Sequence, residues 1–160
     1  MKLFLGSDPG ASGAYCLIDE RGEWIRIYDY KNWLELSQTL THEESENGAI
    51  ALACLEKVGA MPGQGRSSMF SFGCNFGGWQ AILTEKCIPF ELITPQRWQK
   101  AILDSGRKKG EDIKEKVFQY AARRWPQAEL CGKRGAKNYN RSDALCMAEF
   151  ARRQFLGRYE

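Results

Sequence analysis

Histidine is nearly absent from this chain, and its cysteines are unpaired. His42 is the single histidine, and the six cysteines, at 16, 54, 74, 87, 131 and 146, form no C-x-x-C pair. A structural zinc site takes about four Cys or His ligands, usually in close pairs, so zinc of that kind is excluded. Cys16, Cys54 and Cys146 lie inside apolar runs and read as buried thiols of a reducing compartment. Any metal is therefore expected to be hard and oxygen-bound, and His42 reads as a surface residue. Long hydrophobic runs are missing too. The longest spans Ala49 to Leu55, far short of the roughly 20 residues a membrane span needs. One lysine followed by Leu3-Phe4-Leu5 is too short for a secretory signal, so a cytosolic protein is expected. No internal repeat and no linker is visible. The 160 residues, 43% apolar and 27% charged, suit one domain with an ordinary core.

Acidic residues are scarce in one third of the chain. Residues 97–141 carry thirteen Lys/Arg against five Asp/Glu, whereas residues 1–96 carry seven against twelve. Such a basic stretch suits a polyanionic partner, although a run of charge also serves simply as a solvated face.

The periodicities give an element order of β-β-β-α-β-α-β-α-α-α. Leu3–Ser7, Ala14–Ile18 and Glu23–Tyr30 read as an antiparallel meander, with Ile25 and Ile27 on one face and Trp24, Arg26 and Tyr28 on the other. Asn32 is placed to cap a helix over Trp33, Leu36 and Leu40 to about Glu46. Ala49–Leu55 is apolar on both faces, as a central parallel strand is. A Gly/Pro-rich loop over 59–65 leads to a helix from about Ser67, with Met69, Phe72, Phe76, Trp79 and Leu83 at helical spacing. Gly73 and Gly77 on that helix predict close packing against another backbone. Pro89–Ile93 is a strand, and Thr94-Pro95 opens a helix to about Leu103. Glu111–Trp125 is amphipathic, Lys133–Asn140 a basic loop, and Ser142–Phe155 the last helix. This is an α/β chain with a five-stranded mixed sheet, three strands antiparallel and the rest parallel, flanked by helices.

Two of the strands end on an acid, at Asp8 and Glu56, and ligands of open α/β sheets gather at the carboxyl ends of strands. Asp143 falls in the first turn of the last helix as read here, where the helix dipole favours an anion, and Asn140 stands three residues earlier. Three converging carboxylates repel, so a divalent cation is their natural partner. Oxygen-only ligands suit Mg²⁺ or Mn²⁺, two of which can drive phosphodiester hydrolysis.

Gly6-Ser7-Asp8-Pro9-Gly10-Ala11-Ser12-Gly13 resembles the first motif of RuvC-type Holliday junction resolvases. Ala53-Cys54-Leu55-Glu56 is similar to their second motif, an apolar strand ending in Glu, and Ser142-Asp143-Ala144 through Ala148 resembles their closing helix motif. The set occurs in the family's order, spans nearly the whole chain, and is closer to phage-borne members. The resemblance implies an RNase H-like fold and a homodimer that resolves four-way and other branched DNA. It implies a site of Asp8, Glu56, Asp143 and Asn140, holding two Mg²⁺ or Mn²⁺ ions. The fourth position is commonly Asp or His in the family, so Asn140 departs from the pattern. The Met69–Leu83 helix matches the family's pairing helix. DNA contacts are expected from Arg66, Lys100, Arg107, Lys108, Lys109, Lys114, Lys133, Arg134, Lys137 and Arg141. An actin-like ATPase is excluded for want of a second phosphate loop. A YqgF-like RNA-processing nuclease and a silent junction-binding protein are the other readings, the latter motivated by Asn140.

Overall fold

The computed structural model describes residues 1–23, 25–57, 59, 63, 65–103 and 110–157. Trp24, most of the 58–64 loop and residues 104–109 lie outside them, and with them Arg107, Lys108 and Lys109. The strands are β1 (Leu3–Ser7), β2 (Ala14–Asp19), β3 (Ile25–Asp29), β4 (Ile50–Glu56) and β5 (Phe90–Ile93). The helices are α1 (Trp33–Asn47), α2 (Arg66–Glu85), α3 (Pro95–Leu103), α4 (Ile113–Arg124) and α5 (Tyr139–Phe155). The order in the sheet is β3-β2-β1-β4-β5. The first three strands form the antiparallel meander, and β4 joins β1 and β5 in parallel. Among the described residues no helix is long and apolar enough to cross a membrane.

The sheet is covered on both faces. On one, Phe4, Cys16, Cys54 and Ile93 pack with Trp98 and Ile102 of α3, Phe118 of α4, and Leu145, Met147 and Phe150 of α5. On the other, Leu3, Leu5, Leu17 and Leu55 pack with Leu36 and Leu40 of α1 and Trp79 and Leu83 of α2. Each fully buried side chain of this size contributes about 1.5–3 kcal/mol. Alternation divides the strand residues between the two clusters, except that the neighbours Ala51 and Leu52 both pack on the α5 side.

Local chemistry sets the element ends. The Asn32 side chain accepts from the Glu35 N–H and caps α1, and Asp112 caps α4 by accepting from Lys114 and Glu115. α4 therefore starts two residues later than the pattern Glu111–Trp125 suggests. The larger departure is α5. It begins at Tyr139, capped by Asn138, three residues ahead of the expected Ser142. The basic loop before it contains a short 3-10 turn at Lys133–Gly135 and a bridge between Cys131 and Lys137. Asn140 is thus helical, and Asp143 is the fifth residue of α5 rather than part of its first turn.

α5 is buried on nearly all sides from Ser142 to Arg152, as befits a helix laid across a sheet centre. Its buried Glu149 and Arg152 are paired. Glu149 accepts from Arg152 and Arg153, and Arg153 also reaches the Ala101 carbonyl of α3 and the Tyr120 hydroxyl of α4. Burial alone would raise the Glu149 carboxyl, but the two arginines outweigh it and hold it below its usual range.

Gly73 and Gly77 do not meet another backbone within the chain: each has open space where a Cβ would stand. Gly78 is the tight position of α2, where a Cβ would come within 2.6 Å of the Trp33 ring. Trp79 and Leu83 are core residues, whereas Phe70, at 75% exposure, points outward with Gly73, Cys74 and Gly77.

Candidate active site

Asp8 follows β1 directly, and Glu56 is the last residue of β4. Their facing depends on an irregularity in the β1–β4 pairing. Leu3 pairs with Ile50, but Phe4 pairs with Leu52, so the register gains one residue at Ala51. From there Gly6 faces Cys54 and Ser7 faces Leu55. One further step sets Asp8 beside Glu56; without the inserted residue it would stand beside Leu55. Two residues on from Gly6 and Cys54, both acids fall on the α5 face of the sheet.

Gly6 brings α5 to the same place. A Cβ there would lie 2.1 Å from the Ala144 carbonyl oxygen and 2.2 Å from the Ala148 nitrogen. The helix backbone therefore rests directly on β1, one residue past Asp143. The turn after β1 is equally tight. Asp8 Oδ1 accepts from the Gly10 N–H at 3.0 Å, and the Gly13 N–H donates to the Gly10 carbonyl. A Cβ at Gly13 would lie 2.2 Å from the Asp8 carbonyl oxygen.

The three carboxylates feel one another. Burial raises the Glu56 carboxyl, the Asp8 charge adds to the rise, and Trp98 and Lys114 oppose it. Asp143 is pushed up to about 7, first by burial, then by the charges of Glu56 and Asp8, with Lys114 pulling the other way. The helix dipole expected to keep Asp143 ionised does not do so, because Asp143 lies beyond the first turn. Among the described residues, no three Asp, Glu, His or Cys side chains already stand close enough to hold a metal ion. The donor set itself, three carboxylates and an amide with no thiol or imidazole, fits a hard divalent cation.

Asn140 Nδ2 donates to the Ser12 carbonyl at 2.8 Å, tying α5 to the turn behind Asp8. Arg141 is occupied as well. It grips Asp29 through Nε and Nη2, at 2.8 and 2.7 Å, and donates through Nη1 to the Glu129 and Cys131 carbonyls. Lys137 pairs with Glu115 at 2.5 Å and lies over the Phe118 ring. Both cations expected to meet DNA are thus engaged inside the chain. Arg66, Lys100, Lys114, Lys133 and Arg134 are exposed, and Lys114 is the one whose charge reaches Glu56 and Asp143. His42 is exposed on α1, away from these groups.

The sequence reading missed Trp98. It is fully buried, and its indole N–H donates to Glu56 Oε1 at 3.1 Å. Its position in an amphipathic helix says core; nothing in the sequence says that its nitrogen meets a carboxylate.

This architecture is the RNase H-like fold, as found in RuvC nucleases. The matching solved structures include T. thermophilus RuvC in complex with Holliday junction substrate, with a TM-score of 0.66 at 13% identity, covering 98% of this chain and 94% of that one. A second Thermus thermophilus RuvC structure matches with a TM-score of 0.62 at 14% identity, covering 98% and 95%. No protein-family model matches the sequence, and no curated protein matches it either. At such identity the likeness is one of fold, and the activity has to be argued from the site.

Proposed function

We propose that this chain is a structure-selective endodeoxyribonuclease that resolves four-way and related branched DNA by metal-dependent hydrolysis, acting as a homodimer. The observation that carries this reading is that Asp8, Glu56 and Asp143, from three distant parts of the chain, lie within electrostatic reach of one another at one end of a parallel strand pair. Asp143 is pushed up to about 7 by burial and then by the charges of Glu56 and Asp8, and a cation would relieve that repulsion. Asp8, Glu56 and Asp143 would hold Mg²⁺ or Mn²⁺, two ions per site, with Asn140 as a neutral fourth ligand. When bound, such ions supply an activated water at neutral pH and positive charge for the leaving oxygen.

The protein's own groups do the rest. The Gly10 N–H and the Trp98 indole fix one oxygen each of Asp8 and Glu56. Lys114 offsets the negative charge of the site so that a phosphate can approach it. Arg66, Lys100, Lys133 and Arg134 are exposed and suit phosphate contacts, with Arg107, Lys108 and Lys109 completing the basic set. The outward face of α2, with Phe70, Gly73 and Gly77, suits a second copy of the chain, which would bring two sites to bear on two strands.

The test is Mg²⁺- or Mn²⁺-dependent nicking of a synthetic four-way junction, with a linear duplex as control. The wild type should cut the junction, and Asp8→Asn should bind it at least as tightly without cutting. Wild-type-rate cleavage by Asp8→Asn removes the site assignment. Tight binding by the wild type without cleavage, at any metal concentration, favours the silent reading that Asn140 motivates.

A further inference from the structure

Trp98 has one hydrogen-bond donor and no acceptor, and it is wholly buried in the cluster under α3 and α5. A buried indole N–H gains by finding an acceptor, as Trp98 does and Trp79, on the other face of the sheet, does not. Its neighbours in that cluster, Cys54, Ile93 and Ile102 among them, are apolar. The acceptor it finds is Glu56 Oε1, 3.1 Å away. The route to this contact is short and fixed. β5 pairs with β4 so that Ile93 stands opposite Glu56, and the Lys57 N–H donates to the Ile93 carbonyl at 2.7 Å. Thr94 and Pro95 then turn the chain directly into α3, where the Trp98 backbone N–H donates to the Thr94 carbonyl. The indole is thereby folded back over the end of β4. Among the described residues, no other hydrogen bond to Glu56 is made.

We propose that Trp98 is a positioning residue for Glu56: its indole N–H takes up Oε1, fixes the plane of the carboxylate, and leaves Oε2 to the cation. The proposal rests on the reading that Glu56 is a ligand of a divalent ion. A ligating carboxylate held by an outer hydrogen bond loses less freedom when it binds metal, and removing such a partner commonly costs about 10–100-fold in metal affinity or activity.

The experiment uses the full chain without DNA. Mn²⁺ is titrated into the wild type, Glu56→Ala and Trp98→Phe, with bound ion followed by calorimetry and by the paramagnetic resonance of free Mn²⁺. Trp98→Phe keeps a buried ring and deletes the donor. It should weaken Mn²⁺ binding by about 10-fold, while junction binding in Ca²⁺ stays within twofold of wild type. In metal-free protein, Glu56→Ala should shift the Trp98 indole N–H resonance in nitrogen–proton spectra. Where Trp98→Phe disturbs folding, benzothienylalanine at position 98 replaces only the N–H by sulfur in a near-identical ring, and should give the same loss. Mn²⁺ affinity within twofold of wild type in the donor-less protein, or an indole resonance indifferent to Glu56→Ala, overturns the proposal. A wild type that takes up no Mn²⁺ at all overturns the metal reading of the site and the role of Trp98 with it. Uptake by the wild type with equal uptake by the variant overturns the role of Trp98 alone.

Discussion

Asp143 is the residue whose protonation says most about the site. Its carboxyl is held near 7, above its ordinary 3.8. The folded chain therefore keeps a proton that the unfolded chain has already lost. Stability must fall as pH rises from about 4 to about 7, and level off above that. In EDTA, Asp143→Asn escapes this loss. It should melt on the order of 5 °C above wild type at pH 8 and level with it near pH 4, since 1 kcal/mol moves Tm by about 2–4 °C in a domain of this size. Added Mg²⁺ should narrow the gap by stabilising only the wild type. An equal gap at both pH values would mean that the Asp143 carboxyl is not raised in the folded chain. Asn140 poses the complementary case. Asn140→Asp adds a charge to the cluster and removes the donor to the Ser12 carbonyl. It should lower the melting temperature in EDTA, yet reduce the Mg²⁺ concentration needed for half-maximal junction cleavage several-fold. An unchanged metal requirement would take Asn140 out of the site and leave it as a tether of the β1–β2 turn.

At the scale of elements, the site is a meeting of strand ends with a helix, and Gly6 sets the meeting distance. Gly6→Ala would drive a methyl group into the backbone of α5 at Ala144 and Ala148. Backbone yields less readily than a flexible side chain, so the helix has to lift from β1 and take Asp143 with it. The expected cost is more than about 3 kcal/mol, at the upper end of single-residue effects, read from urea denaturation. A loss below about 1 kcal/mol would mean that α5 shifts freely, and that the distance from Asp143 to β1 is not held by this packing. The start of α5 is capped by Asn138 and is fastened by Asn140 to the β1–β2 turn and by Arg141 to Asp29 at the end of β3. Arg141, which sequence reading assigns to DNA, acts here as a bolt between α5, the end of β3 and the 129–131 segment.

For the whole molecule, charge and pairing are the quantities to measure. The salt dependence of junction binding should lose about one unit of its log–log slope with Lys133→Ala. Lys137→Ala should leave that slope nearly unchanged, because Lys137 is spent on Glu115. Equal slopes for the two variants would erase the distinction drawn between exposed and internally paired cations. Gly77→Arg places a long charged side chain on the outward face of α2, where the fold leaves open space. The wild type should sediment as a dimer at micromolar concentration and this variant as a monomer with an unchanged Tm. A dimer that survives the arginine would move the pairing surface elsewhere.

The element order, the sheet with its antiparallel and parallel halves, and the positions of Asp8 and Glu56 at strand ends were legible in the linear chain. They follow from alternation, caps and strand-terminal residues, which are local signals. The start of α5 was misjudged because Lys137-Asn138-Tyr139-Asn140 is polar and reads as loop, and only Asn138 accepting from the Arg141 N–H reveals the cap. Other features have no local signature at all. The extra residue at Ala51 that brings Glu56 beside Asp8, the close rest of α5 on Gly6, the indole of Trp98 on Glu56, and the capture of Arg141 by Asp29 each join residues far apart in the chain. The sequence by itself determined which side chains have the chemistry. Tertiary structure decided which of them meet, because strand register and helix seating are fixed by packing across the whole sheet and not by any neighbour in the chain.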